Sequence, residues 1–235
     1  MLFVKLCKSK IPELVSKNWI HAFINEINIP TQKCLPILYS TFADFLLEFP
    51  NLISKYSLLI MESLKKIQEF YQQTQSVQKQ QAIHQSLLEL INALISKASN
   101  VDEISPLICD VTIPLMKENN QSNYQTLFYT YSLLFSRISS KSSKAVINLN
   151  KKIIDFAKSD SLYSIYTIDP LSIYISVFSN SDKEGSSASL KMILNLAKRN
   201  ASYNKNALTS ILLIASSPSK KILLPSTKEI LSIIQ

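Results

Sequence analysis

Apolar residues recur along most of the chain at spacings of three and four, the period of an amphipathic helix. The clearest stretch is Val101–Ile138 (VDEISPLICDVTIPLMKENNQSNYQTLFYTYSLLFSRI). Ile104, Leu107, Ile108, Val111 and Leu115 share one helical face there. Tyr124, Leu127, Phe128, Tyr131, Leu134, Phe135 and Ile138 form a wider stripe on a second helix. The polar run Glu118-Asn119-Asn120-Gln121 between them is short enough to force an antiparallel return. A hairpin of this kind cannot bury its apolar face alone, so neighbours of the same design are expected on either side.

The same pattern predicts the rest of the chain. Leu2–Leu6 reads as the tail of an apolar helix ended before Pro12. A helix over 12–28 turns Leu14, Val15, Trp19, Ala22, Phe23, Ile24 and Ile27 inward, with Pro12 in its first turn. Its partner spans 32–48, and Pro50 opens the next helix, 51–72, with Ile53, Tyr56, Leu59, Ile60 and Leu64 apolar. The glutamine-rich run 72–81 permits one long helix, but a turn near Thr74 and Ser76 is favoured because either residue caps the helix that follows, 77–98. Asn100 with Glu103 three residues on resembles a capping box. Beyond the hairpin, Ser142 or Ser143 caps a helix to Lys158, and its partner over 161–178 is split or kinked at Pro170 and β-prone from Ile173 to Phe178. SNSDKEGSS reads as a loop, followed by helices at 187–199 and 204–216, a connector from Pro218 to Pro225 and a last helix from 226.

The first helices of successive pairs thus begin near 12, 51, 102, 142, 187 and 226, at intervals of roughly 40 to 50 residues, the period of two-helix solenoid repeats. With Pro114 placed to bend the first helix of the central pair by removing the hydrogen bond to the Asp110 carbonyl, the pattern resembles the HEAT/ARM superfamily. The other repeats lack that proline in register. The resemblance implies an all-α fold, a right-handed superhelical stack of about five antiparallel helix pairs plus a terminal helix. It would form one α-solenoid domain over 1–235, and the class is non-enzymatic. Trp19 invites comparison with tubulin-binding members of the superfamily, but it lies inside an amphipathic helix and reads as core.

Composition narrows the function. Gly185 is the single glycine of 235 residues, against an average of roughly 7%. Phosphate-cradling loops, dinucleotide folds and nucleophile elbows need glycine where the backbone approaches a ligand or takes positive φ, so they are excluded. The three cysteines, Cys7, Cys34 and Cys109, are far apart, odd in number and without metal spacing; reduced buried thiols of an intracellular protein, cytoplasmic or nuclear, explain them. MLFVKLCKSK is interrupted by Lys5 and too short for a signal peptide. The longest apolar stretch, Leu162–Phe178, is broken by Asp169-Pro170, so no insertion into a membrane is expected. His21 and His84 are unclustered, and Asp102-Glu103 suits the first turn of a helix better than a catalytic pair. No catalytic, cofactor-binding or metal site is expected.

Charge is segregated. Residues 40–120 carry six lysines and nine acids, net −3, whereas 182–235 carry eight basic and three acidic groups, net +5. Lys144, Lys151, Lys152 and Lys158 fall opposite the apolar stripe of their helix; Lys191, Lys198 and Arg199 do so on another, and Lys220 and Lys221 lie in the connector. These nine form either a solvated face or a basic patch for acidic protein segments or a phosphate backbone. Two functions follow: a scaffold mediating protein–protein interactions in a larger complex, or a nucleic-acid-associated factor of RNA processing or ribosome assembly. The chain closes on Ile230-Leu231-Ser232-Ile233-Ile234. Such an apolar end is expected to dock on another subunit or to continue a longer array.

Overall fold

The computed structural model describes residues 13–27, 35–71, 77–116, 121–139, 143–159 and 162–234. These residues are all-α: eleven α-helices and short 3₁₀ turns, with no strand among them. The expected helix at Leu2–Leu6, Cys7, Cys34, the turn at Thr74 and Ser76, Ser142 and most of the polar turn at 118–121 lie outside the described residues, as does the side chain of Trp19. The chain divides into two compact units, Met1–Asn123 and Tyr124–Gln235. The division falls between the two helices of the stretch Val101–Ile138.

The first unit contains α1 (Glu13–Ile27), α2 (Leu35–Glu48), α3 (Pro50–Tyr71), α4 (Val77–Lys97) and α5 (Val101–Thr112). Pro50 is the first helical residue of α3, where its missing N–H would have had no partner. Alternate helices pack on one another, α1 on α3, α3 on α5 and α2 on α4. Ile20, Phe23 and Ile24 of α1 are buried, and Phe23 stacks on Phe42 at a ring separation of 4.8 Å. Ala22 of α1 and Leu59 of α3, expected inside, are exposed. In α1, Ile20 is buried where Ala22 was expected, because the buried arc of the helix runs through 20, 23 and 24 rather than 22.

Two local expectations are corrected in α5. Asn100 precedes the helix, but its side chain makes no capping bond to the backbone. Its amide donates to Glu103 Oε2 at 3.1 Å, and its Oδ1 accepts from Ser57 Oγ of α3 at 3.0 Å. The residue ties two helices together instead of closing a capping box. Pro114 does not bend the middle of the helix either: α5 ends at Thr112 and Pro114 lies in the 3₁₀ turn Ile113–Met116. The proline inside the helix is Pro106. It cannot donate to the Asp102 carbonyl four residues back, and the Ser105 hydroxyl donates to that carbonyl instead, at 3.0 Å.

The second unit contains α6 (Tyr124–Arg137), α7 (Lys144–Lys158), α8 (Ile168–Phe178), α9 (Lys183–Arg199), α10 (Asn204–Ser216) and α11 (Thr227–Ile234). Here too alternate helices pack, α6 on α8, α8 on α10, α7 on α9 and α9 on α11, giving two rows. Ser143 caps α7, accepting from the Val146 N–H at 3.4 Å. The segment before α8 is a 3₁₀ turn, Leu162–Thr167, so the split comes at Thr167–Ile168 and Pro170 sits in the first turn of α8. Residues 173–178 are helical despite their β-branched content, because Tyr174 and Phe178 pack against Phe135 at ring separations of 5.2 and 6.1 Å. Most of SNSDKEGSS is helix rather than loop. Asp182 accepts from the Gly185 N–H at 3.0 Å and starts α9 at Lys183. The Tyr174 hydroxyl donates to the other oxygen of that carboxylate. Burial and the neighbouring Asp182 charge raise the phenol pKa, which keeps the donor protonated. At the end of the chain Ile233 of α11 is buried, Ile230 is half-buried and Leu231 is exposed.

Polar bonds tie residues of neighbouring elements within each unit, several of them 39 to 49 positions apart and others 31 and 35 apart. In the first unit Ser40 Oγ donates to Glu89 (49 residues on), Ser57 to Asn100 (43) and Lys65 to Asp110 (45). In the second, Ser189 donates to Asn150 (39 residues back), Ser179 to Ser219 (40) and Tyr203 to the Leu162 carbonyl (41).

Candidate functional site

The second unit carries a groove of about 540 Å³ crossing α6, the turn before α8, α8 and α10. It exists because α6, α8 and α10 form one row: each contributes the flank of a helix whose opposite flank is buried in the unit. Phe128 and Ser132 of α6 form part of its floor, and Tyr129 stands at its edge with its side chain exposed. Tyr166 lines the wall, its ring stacked on Tyr163 at 6.5 Å, which in turn meets Tyr124 edge-on at 5.5 Å. Leu213 of α10 adds exposed apolar surface opposite. An aromatic, partly apolar groove with a few convergent polar groups is the usual form of a binding surface.

Asp169, in the first turn of α8, is the one ionisable acid or base of ordinary range among the side chains lining this groove. Its place favours a carboxylate, since the helix N-terminus carries partial positive charge. The residue is exposed, and the desolvation it does experience raises its pKa. Among the described residues no cation pairs with it.

The nine basic residues singled out from the sequence all lie in the second unit and all are exposed. Lys144, Lys151, Lys152 and Lys158 are on α7, and Lys191, Lys198 and Arg199 on α9, which packs directly on α7. These seven share one row, the row that does not line the large groove. Lys220 and Lys221 stand apart in the 3₁₀ turn Lys220–Ser226 after α10. Lys221 joins Lys183 and Asn180 around a smaller hollow of about 370 Å³. Lys158 pairs with Asp155 at 3.0 Å and Lys198 with Glu229 of α11 at 2.9 Å, so both charges are partly engaged.

Groups with catalytic potential are dispersed. His21 is exposed and edge-on to Tyr56 at 5.7 Å, whereas His84 is buried, and burial lowers its pKa to about 4. Cys109 is buried and its thiol is pushed up to about 12 by desolvation and by the Asp110 charge, which makes it a poor nucleophile. No group of three or more histidine, cysteine or acidic side chains among the described residues could hold a metal ion. No described helix is long and apolar enough to cross a membrane.

Sequence reasoning reached the basic row but missed the groove. The signal was available in Tyr129: the apolar stripe of α6 runs through 124, 127, 128, 131, 134, 135 and 138, and Tyr129 is an aromatic residue off that stripe. Its pairing with Asp169 and Leu213 depends on which helices pack together, and that is not written in any one segment. Comparison of the chain with family models, with curated proteins and with solved structures finds no match.

Proposed function

We propose that the chain is a non-enzymatic helical-repeat scaffold of the HEAT/ARM type that binds protein partners, with the groove across α6, α8 and α10 as its principal contact surface. The observation that supports this reading is the packing of alternate helices on one another within each unit. A chain built by repeating one two-helix unit stacks equivalent helices side by side, and the row of second helices then offers a continuous surface that a loop-built pocket does not. The groove's exposed Tyr129 and Leu213 are residue types that anchor protein interfaces. Tagged chain purified beside a Leu213→Glu variant tests the proposal. A defined set of proteins should accompany the parent chain and be lost from the variant, whereas identical sets from both would count against the groove.

The exposed cations of α7 and α9 favour a second reading, association with nucleic acid through the phosphate backbone. Charge reversal of Lys144, Lys151 and Lys152 should change folding stability by less than about 0.5 kcal/mol, as for other exposed charges. On this reading it should also weaken binding of random-sequence RNA and flatten the dependence on salt, since each lost phosphate contact lowers the slope of log K against log salt by about 0.9 or less. Unaltered RNA binding by the triple variant would remove the basic row from consideration.

A further inference from the structure

We propose that the α6/α8/α10 groove takes a lysine or arginine side chain presented by an extended segment of a partner protein, the cation lying against the Asp169 carboxylate and the tyrosine rings beside it. This rests on the reading of the groove as a protein-binding surface and names the chemistry of its occupant. Charge complementarity decides between occupants. Asp169 lines the groove, no lysine or arginine does, and no described cation pairs with the carboxylate. The carboxylate is exposed, so a cation entering the groove reaches it without displacing protein groups.

The aromatic groups fit the same guest. Tyr129 is more than half exposed at the rim, and half-buried Tyr166 lines the groove with its ring stacked on Tyr163, so the exposed Tyr129 ring is available without rearrangement of the core. Guanidinium and ammonium groups are attracted to such faces, and their methylene stems suit the apolar wall. Gln125, Asn206 and Thr209 add polar side chains along the groove that are able to bond to the main chain of an extended segment. A phosphate backbone is the poorer occupant, because it would meet the carboxylate while no cation lines the groove; Lys205 of α10 and Arg137 of α6 are exposed on the same row but outside the lining.

The test uses the full chain, immobilised, and random dodecapeptides displayed on phage. A synthetic copy of the best binder is then measured by fluorescence anisotropy. Selected peptides should share a lysine or arginine at one position. Asp169→Asn should weaken the synthetic peptide about tenfold, the loss of a hydrogen bond to a charged group, and Tyr129→Ala about threefold. Selection on an Asp169→Lys chain should drop the basic residue from the consensus. Peptides that lack a basic consensus, or that bind the Asp169→Asn chain undiminished, would overturn the inference; if Leu213→Glu still released them, the groove itself would stand. Peptides indifferent to both Leu213→Glu and Leu213→Arg, the second of which repels a cation, would overturn both readings. Binding of a labelled uridine dodecamer that is abolished by Tyr129→Ala would assign the groove to nucleic acid and overturn the inference as well. Thermal melts of each variant confirm that it is folded.

Discussion

Gly185 shows how much a single residue can explain. Its φ is not positive, so backbone conformation is not the reason for glycine. A Cβ at this position would stand 2.1 Å from Asp182 Oδ2, the oxygen that accepts from Tyr174. Glycine is needed so that a carboxylate can sit over the first turn of α9 and be held from below by a phenol. Gly→Ala within a helix ordinarily stabilises by up to about 1 kcal/mol. Here Gly185→Ala must displace the cap and its buried partner, and urea denaturation should show a net loss of about 1 kcal/mol. His84 makes a prediction in pH. Its pKa falls from 6.5 to about 4 on folding, so between those values the unfolded chain binds a proton that the folded chain does not. Stability is therefore full above pH 6.5 and declines as pH falls toward 4, by about 3 kcal/mol for this residue. His84→Gln should flatten the decline measured by denaturant titration across that window.

Among the elements, the helices were legible where an apolar stripe had one period and a clear stop. Asn204–Ser216 occurs where the spacing places it, and Val77–Lys97 and Lys144–Lys158 begin within a residue or two of the expected start. The departures each have a local cause. Residues 179–187 look like a loop by composition, but one capping carboxylate recruits Lys183–Ser187 into α9. Residues 173–178 look like a strand by propensity, but their aromatic residues are needed in the core beside Phe135. In α5 the wrong proline drew attention. Pro106 lies inside the helix, exposed, with Ser105 bonded to the carbonyl that Pro106 leaves open. Pro106→Ala restores the missing donor in a helix whose geometry is already regular enough to continue past it. It should raise stability by about 1 kcal/mol, less than the full helix-propensity difference because Ser105 loses its bond and the unfolded chain gains freedom. A lower melting temperature would mean that the proline shapes α5 in a way its neighbours require. The α7–α9 pair carries its own register lock. Buried Asn150 accepts from Ser189 at 3.2 Å and donates to the Gly185 carbonyl at 3.5 Å, a fit that a one-turn slip would break.

At the scale of the molecule, the all-α character read from the sequence is present throughout the described residues, and alternate helices pack on one another within each unit. The helices are legible because each must bury an apolar stripe of its own. The groove was not, because its members come from three helices and a turn separated by up to 88 residues, Gln125 to Leu213. The cations were visible as charge opposite the apolar stripes, and the structure distributes them over α7, α9 and the turn after α10, with Lys158 and Lys198 engaged by Asp155 and Glu229. A photoreactive phenylalanine derivative placed at Tyr129, and in a second chain at Lys151, tests the division between these two surfaces inside the cell. Protein adducts should form at position 129 and disappear when Leu213→Glu is added, while position 151 should give few. Absence of protein adducts at 129, or RNA adducts concentrated at 151, would contradict the groove as the working surface and move function to the basic row.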